Sequence, residues 1–212
     1  MNWAETLKTS TFLTNNKTIT YSMKYYILFG PPGAGKGTQA TAMVEKYNLH
    51  HISTGALLRK EIAAGTELGI QAKTLIENGC LVPDEIVEGM IENEFKNVTD
   101  VDGFLLDGFP RTLAQAEALD AILANENDTV TATVSIMIPD EMIMQRIKGR
   151  ALKEGRADDA KEDVINNRIV TYHNQTEPLI GYYSTAGKYH EIDGTGSIEE
   201  VRKLIFEVMD RF

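Results

Sequence analysis

Nine consecutive residues carry the clearest chemistry in this 212-residue chain: Gly30-Pro31-Pro32-Gly33-Ala34-Gly35-Lys36-Gly37-Thr38. They match the spacing G-x-x-x-x-G-K, with an apolar run before them and a helical pattern after them. Glycines let backbone amides turn inward with no Cβ in the way. Those amides, and the helix N-terminus behind them, present partial positive charge to phosphate oxygens. Lys36 adds a full charge suited to the β- and γ-phosphates. Thr38 stands one residue later than the hydroxyl of the commonest form of such a loop, and Gly37 takes the usual Ser/Thr place. The loop predicts a nucleoside triphosphate as ligand. By itself it does not separate a kinase from a GTPase or a transporter.

A strand must deliver this loop and a helix must receive it. Apolar runs predict strands over residues 25–29, 51–52, 104–107, 133–138 and 189–192. Helical patterns cover 37–47, 54–64, 68–77, 84–96, 112–124, 141–150, 161–172 and 197–211. Alternation of this kind reads as an α/β fold, a parallel five-stranded sheet with helices on both faces in three layers. Pro83-Asp84 and Pro139-Asp140 punctuate two helix starts. Residues 1–22 are rich in Ser, Thr and Asn and lack sustained periodicity. They are expected to be a disordered tail or an upstream start, with Met23 opening the folded domain. They contain no Arg and no apolar stretch of about 7–15 residues, so they fit neither a transit nor a secretory signal.

The length suits one buried core with a small insert or two. No apolar run approaches the roughly 20 residues that a membrane span needs. The single cysteine, Cys80, excludes an intrachain disulfide and a Cys-rich zinc site. It is expected to be small and partly buried, in a reducing, cytoplasmic setting. The net charge of −10 argues against a nucleic-acid partner. An acidic protein that handles phosphates must gather its positive charge locally. Eight arginines are available for this: Arg59, Arg111, Arg146, Arg150, Arg156, Arg168, Arg202 and Arg211.

Two more segments complete a pattern, Ile52-Ser53-Thr54-Gly55-Ala56-Leu57-Leu58-Arg59 and Phe104-Leu105-Leu106-Asp107-Gly108-Phe109-Pro110-Arg111-Thr112, the second followed by Gln115. With the phosphate loop and the later arginines they resemble the adenylate kinase family, from about residue 23 to the C-terminus. The resemblance implies reversible phosphoryl transfer from Mg-ATP to AMP, giving two ADP, by a monomer. It implies that Arg59 and Arg111 grip the AMP phosphate, since a guanidinium fork matches phosphate oxygens. Gln115 would pair with the adenine edge and Thr54 would line its pocket. Cys80, Leu81, Val82, Gly108, Phe109 and Pro110 would enclose the same nucleotide. ATP would meet Gly33, Ala34, Gly35, Lys36, Gly37 and Thr38, with Arg146, Arg150 and Gly196 around its base and phosphates. Arg156 and Arg168 would close over the transferring group. Asp107 would orient Mg2+-bound water, because Mg2+ keeps its waters and leans on few carboxylates.

In one place the chain departs from the family: Ala56 stands where many members carry Asp. Only residues 151–155 separate Arg150 from Arg156, which resembles the short-lid type without structural zinc. The resemblance divides the domain into an AMP-binding segment of about 53–82 and a lid of about 150–160. The attacking phosphate oxygen is already anionic, so catalysis would rest on position and charge, with no general base. The nearest alternative is a UMP/CMP kinase, disfavoured by Thr54 and Gln115. A P-loop GTPase-like switch is the alternative of another class. Asn16-Lys17-Thr18-Ile19 lacks its guanine-reading Asp, and Asp107-Gly108-Phe109-Pro110 is not Asp-x-x-Gly.

Overall fold

Strand β3 (Lys24–Phe29) is apolar after its lysine, and both of its faces are buried. Tyr25, Ile27 and Phe29 join one hydrophobic cluster; Tyr26 and Leu28 join another. A strand buried on both faces belongs inside a parallel sheet. The computed structural model describes residues 23–154 and 161–212, and a two-rung antiparallel pairing of β1 (Leu13–Thr14) with β2 (Lys17–Thr18). The tail expected over residues 1–22 falls, apart from this pairing, outside the described residues.

The main sheet has the order β4 (Leu49–Ser53), β5 (Gly103–Asp107), β3, β6 (Ala132–Met137) and β7 (Tyr189–Asp193), every pairing parallel. On one face α1 (Lys36–Tyr47) and α9 (Ile198–Met209) place Ala40, Met43, Val201 and Ile205 against Tyr26, Leu28, Leu105 and Val134. On the other, α4 (Asp84–Asn97) and α5 (Leu113–Ala124) place Val87, Ile91, Phe95 and Leu119 against Tyr25, Ile27, Phe104 and Leu106. Tyr25 stacks on Phe104 at 5.6 Å, and Phe95 meets Phe104 edge-on at 4.8 Å. α2 (Thr54–Ala64) packs on α3 (Glu67–Glu77) beside this face.

The strand order decides where ligands can go. The chain leaves β3 for β4 and β5 on one side, then crosses to β6 and β7 on the other. The crevice at such a reversal, outside the carboxyl ends of the strands, is where open α/β sheets bind ligands. Gly30, Thr54 and Gly108 all follow strand ends at this edge.

All five expected strands and all eight expected helices form, most with ends shifted by one or two residues. α6 (Asp140–Glu154) differs more: it runs four residues beyond Arg150, into the expected lid. The remainder of that lid, residues 155–160 with Arg156, lies outside the described residues. A π-helical turn, Tyr172–Thr176, follows α7 (Glu162–Thr171) and leads into α8 (Leu179–Thr185), and neither was expected. Seven residues are too few for a 3.6-residue period to stand out. What holds α8 is tertiary: Leu179 and Tyr183, four apart, are buried in the core beside α5 and β7. Among the described residues no helix is long and apolar enough to cross a membrane.

The π turn also carries an ion-pair bridge. His173 Nδ1 lies 2.7 Å from Glu177, and its Nε2 lies 3.0 Å from Asp140 at the start of α6. The Glu177 hydrogen bond, aided by Asp140, raises the His173 imidazole above the usual histidine range, and burial opposes them. A raised folded-state pKa means stability that is complete below about pH 6.5 and is lost as pH rises through the folded value. His173→Gln should therefore lower the Tm below about pH 6, and the gap from wild type should close by about pH 8. A Tm difference independent of pH would show that the bridge does not depend on charge.

Candidate active site

The loop after β3 turns in a way that only glycine allows. Gly30 has φ +128°, and a Cβ there would lie 2.2 Å from the Ile136 carbonyl oxygen of β6. Lys36 opens α1 and folds back over the loop, its Nζ donating to Gly30 O at 2.7 Å and Pro31 O at 2.9 Å. Burial pushes its ammonium down to about 8; Arg111 and Arg150 push the same way and Asp107 opposes them. Asp107 ends β5. Burial alone would raise its carboxyl, but the His51 ring, 3.6 Å away, together with Lys36 and Arg111, holds it below the usual carboxylate range. An ionised carboxylate thus stands beside the lysine of the loop.

The turn after β5 builds the second half. Gly108 has φ +83°, and a Cβ there would meet Arg111 Nη2 at 2.7 Å and Thr54 Oγ1 at 2.8 Å. The bare backbone lets both approach: Thr54 Oγ1 donates to Gly108 O at 2.9 Å and Arg111 Nε donates to the same oxygen at 2.8 Å. Thr176, in the π turn, donates to Arg111 O at 2.9 Å. Burial, then the like charges of Arg168 and Arg59, hold the Arg111 guanidinium below its ordinary range, while Asp107 opposes them. A guanidinium stays protonated even so. Three guanidiniums near enough to repel one another in an acidic protein mark a place built for a polyanion.

Arg146 bridges two loops of the cleft. Its Nη2 donates to Gly194 O at 2.9 Å, and its Nη1 donates to Ala34 O at 3.4 Å. It thereby ties the phosphate loop to the turn between β7 and α9. A capping box, Ser197 with Glu200, fixes the start of α9, and Gln39 of α1 donates to Ile198 O at 2.9 Å.

One cavity of about 910 Å³ takes in both halves. Gly33, Ala34, Gly35, Lys36, Gly37, Thr38, Arg146, Arg150 and Gly196 line it around the phosphate loop. Thr54, Arg59, Cys80, Leu81, Val82, Gly108, Pro110, Arg111, Gln115 and Arg168 line the rest, with Asp107 among the lining. One expected residue is not brought there: Phe109 is 1% exposed and packs in the core instead. Arg156 lies outside the described residues.

The comparisons with known proteins agree with this geometry. The family model described as Adenylate kinase matches residues 28–188. The chain is 48% identical over 184 residues to the adenylate kinase of Flavobacterium psychrophilum, covering 87% of this chain and 97% of that one. It is 46% identical over 185 residues to that of Leptospira biflexa, covering 87% and 99%. The adenylate kinase of Stenotrophomonas maltophilia is 46% identical over 179 residues, covering 84% and 95%. This chain belongs to the adenylate kinase family.

Within that family frame, some expectations need correction. Cys80 is exposed rather than partly buried, because it sits at the cleft edge after α3 and not in the core. Ala56 is exposed on α2. Sequence reasoning also missed His51, Asp84 and Thr176. The sequence marks His51 only as strand, and its place opposite Leu105 and near Asp107 follows from the β4–β5 register. Asp84 reads as helix punctuation in the sequence, and Thr176 falls in a stretch without a periodic signal.

Proposed function

We propose that this adenylate kinase family member catalyses reversible phosphoryl transfer from Mg-ATP to AMP, giving two ADP, and so serves adenine nucleotide balance. One observation carries the reading. The phosphate loop and the arginine cluster of a second anion site open into the same cavity, so a donor and an acceptor phosphate can meet. Lys36, Arg111, Arg146, Arg150 and Arg168 supply positive charge where the transferring group would spread its negative charge. Because the AMP oxygen attacks as an anion, no residue is needed to remove a proton. Residues 53–82 are proposed as the AMP-binding segment and residues 150–160 as the lid, with Arg156 acting from the latter. The UMP/CMP and GTPase-like alternatives have no observation in their favour.

Mg2+ fits the donor end. Among the described residues lining the cleft the one carboxylate is Asp107, largely buried and held ionised by its cationic neighbours, and Mg2+ needs few protein ligands because it keeps its waters. When bound with ATP it would neutralise phosphate charge. Asp107 would hold its water shell, and Thr38 lies at the same end. We place the enzyme in the cytoplasm as a monomer, in keeping with the family resemblance; sedimentation at assay concentration reads the latter.

The test is an acceptor panel. Purified protein is given Mg-ATP with AMP, UMP, CMP, GMP or no acceptor, and ADP is followed. Fast turnover with AMP alone is expected. A preference for UMP or CMP would keep the scaffold and overturn the acceptor assignment. Slow ADP release unaffected by any acceptor would overturn the kinase reading.

A further inference from the structure

Gln115 is 2% exposed, yet its amide lines the cleft and is held at both ends. Its Oε1 accepts from the Arg111 backbone N–H at 2.7 Å. Its Nε2 donates to Asp84 Oδ1 at 2.7 Å. A backbone N–H can only donate, and a carboxylate oxygen paired with an amide nitrogen can only accept. The two partners therefore determine which end of the amide is oxygen and which is nitrogen. Turning the amide over would set a donor against a donor and an acceptor against an acceptor. The other oxygen of Asp84, Oδ2, accepts from Thr112 Oγ1 at 3.0 Å, so the carboxylate itself is held against rotation. Thr112 is in turn fixed as the N-cap of α5, where its side chain accepts from Gln115 N.

We infer that Asp84 is a positioning residue that sets the acceptor-base specificity of this enzyme by locking the orientation of the Gln115 amide. The inference rests on the proposed reading that Gln115 meets the acceptor base. Each amide end has capacity left after its protein bond: one more lone pair on Oε1 and one more hydrogen on Nε2. The acceptor and donor thus presented complement a base edge that carries an amino donor beside a ring-nitrogen acceptor, as adenine does. Hypoxanthine and guanine present the reverse polarity, a carbonyl beside a ring N–H. A site whose polar groups would be left unpaired rejects such a base. Specificity would then reside in the pairing of α4 with α5, outside the residues that touch the nucleotide.

The experiment is a double-mutant cycle with Asp84→Ala, Gln115→Ala and the two combined, read as KM and kcat for AMP, KM for ATP, and the ratio of kcat/KM for AMP over IMP. Expected are a rise of about tenfold in KM for AMP and a similar fall in the AMP/IMP ratio for Asp84→Ala, with KM for ATP unchanged, since a hydrogen bond to a charged group is worth about a factor of ten or more. The double variant should be no worse than Gln115→Ala alone. Asp84→Asn keeps an acceptor oxygen for Gln115 and puts an amide donor where the carboxylate accepted from Thr112, whose hydroxyl oxygen can accept it in turn, so it should restore the AMP/IMP ratio. A purely structural tie between α4 and α5 would lower the Tm without moving that ratio. Where Asp84→Ala does not fold, Asp84→Ser, polar but too short to reach Gln115, takes its place. If Gln115→Ala leaves the ratio unchanged, the reading of Gln115 fails and the inference with it. If Gln115→Ala moves the ratio while the Asp84 variants do not, or if the two effects simply add, the role of Asp84 is overturned and that of Gln115 stands.

Discussion

Replacing Lys36 with methionine is expected to lower kcat by about 10²–10³-fold with the fold intact, as for removal of one preorganised charge-stabilising donor. The side chain is a buried ammonium within the cluster formed by Asp107, Arg111 and Arg150. Its Nζ donates to the loop carbonyls of Gly30 and Pro31. Methionine matches most of the apolar stem and removes the terminal ammonium with its charge and donors. Thermal unfolding should change little, because a buried ammonium stabilises a fold weakly. The wild type should also show a pH signature. The pKa of about 8 lies below the ordinary lysine value of 10.5, so the free enzyme loses this charge as pH rises through about 8. The kcat/KM for ATP should fall over that range, and Lys36→Met should lack the fall. For stability the sign is opposite. The unfolded chain holds the proton up to about 10.5, so wild type should gain stability relative to Lys36→Met between about pH 8 and 10.5. Turnover within a few-fold of wild type at neutral pH would remove Lys36 from the chemistry.

Gly30→Ala should be strongly damaging, because among the described glycines it combines a backbone clash as close as any with a positive φ. The new Cβ would lie 2.2 Å from the Ile136 carbonyl oxygen, inside contact distance of a backbone atom that is itself part of the sheet. The φ of +128° adds strain that an L side chain rarely accepts. Overpacking of this kind costs about 1–3 kcal/mol, occasionally more. An unfavourable backbone conformation costs about 1–3 kcal/mol by itself. Either the fold loses that stability or β3 moves away from β6, which shifts the loop that holds Lys36. Denaturant unfolding should show a loss of at least about 2 kcal/mol, and nucleotide affinity should fall even at temperatures where the variant remains folded. A Gly35→Ala control is informative, because nothing lies within 4 Å of a Cβ there although φ is +97°. It carries the backbone strain without the clash, so its loss of stability should be the smaller. Equal losses at the two positions would show that strain alone governs both.

The phosphate loop was legible because its chemistry is local. A strand, a glycine-rich turn and a lysine at the head of a helix are contiguous, and their spacing alone presents amides and charge to phosphate. The strands were legible too, since β3, β5 and β6 are buried on both faces and read as apolar runs. Neither residue type nor spacing announced that Arg111 would be buried beside Arg59 and Arg168. The family resemblance supplied that grouping, and the fold supplied its cause. The ends of β3, β4 and β5 come together only through the order of the strands, and the π turn reaches Arg111 only after α7 has folded back.

Residues misjudged from the sequence share a reason. Phe109 sits inside a motif of cleft residues, but on a tight turn neighbouring side chains point opposite ways, and the core took it. Cys80 is a residue type usually buried, and its exposure comes from its place at the cleft edge. Asp84 looked like the first acid of a helix, which it is; that its carboxylate also grips Gln115, 31 residues later, depends on how α4 lies against α5. The sequence by itself determined the class of ligand, the alternation of strands and helices, and the family, because each of these is written in short contiguous runs. The tertiary structure alone decided which charges share one cavity and which end of a glutamine amide faces it, because those depend on contacts between residues far apart in the chain.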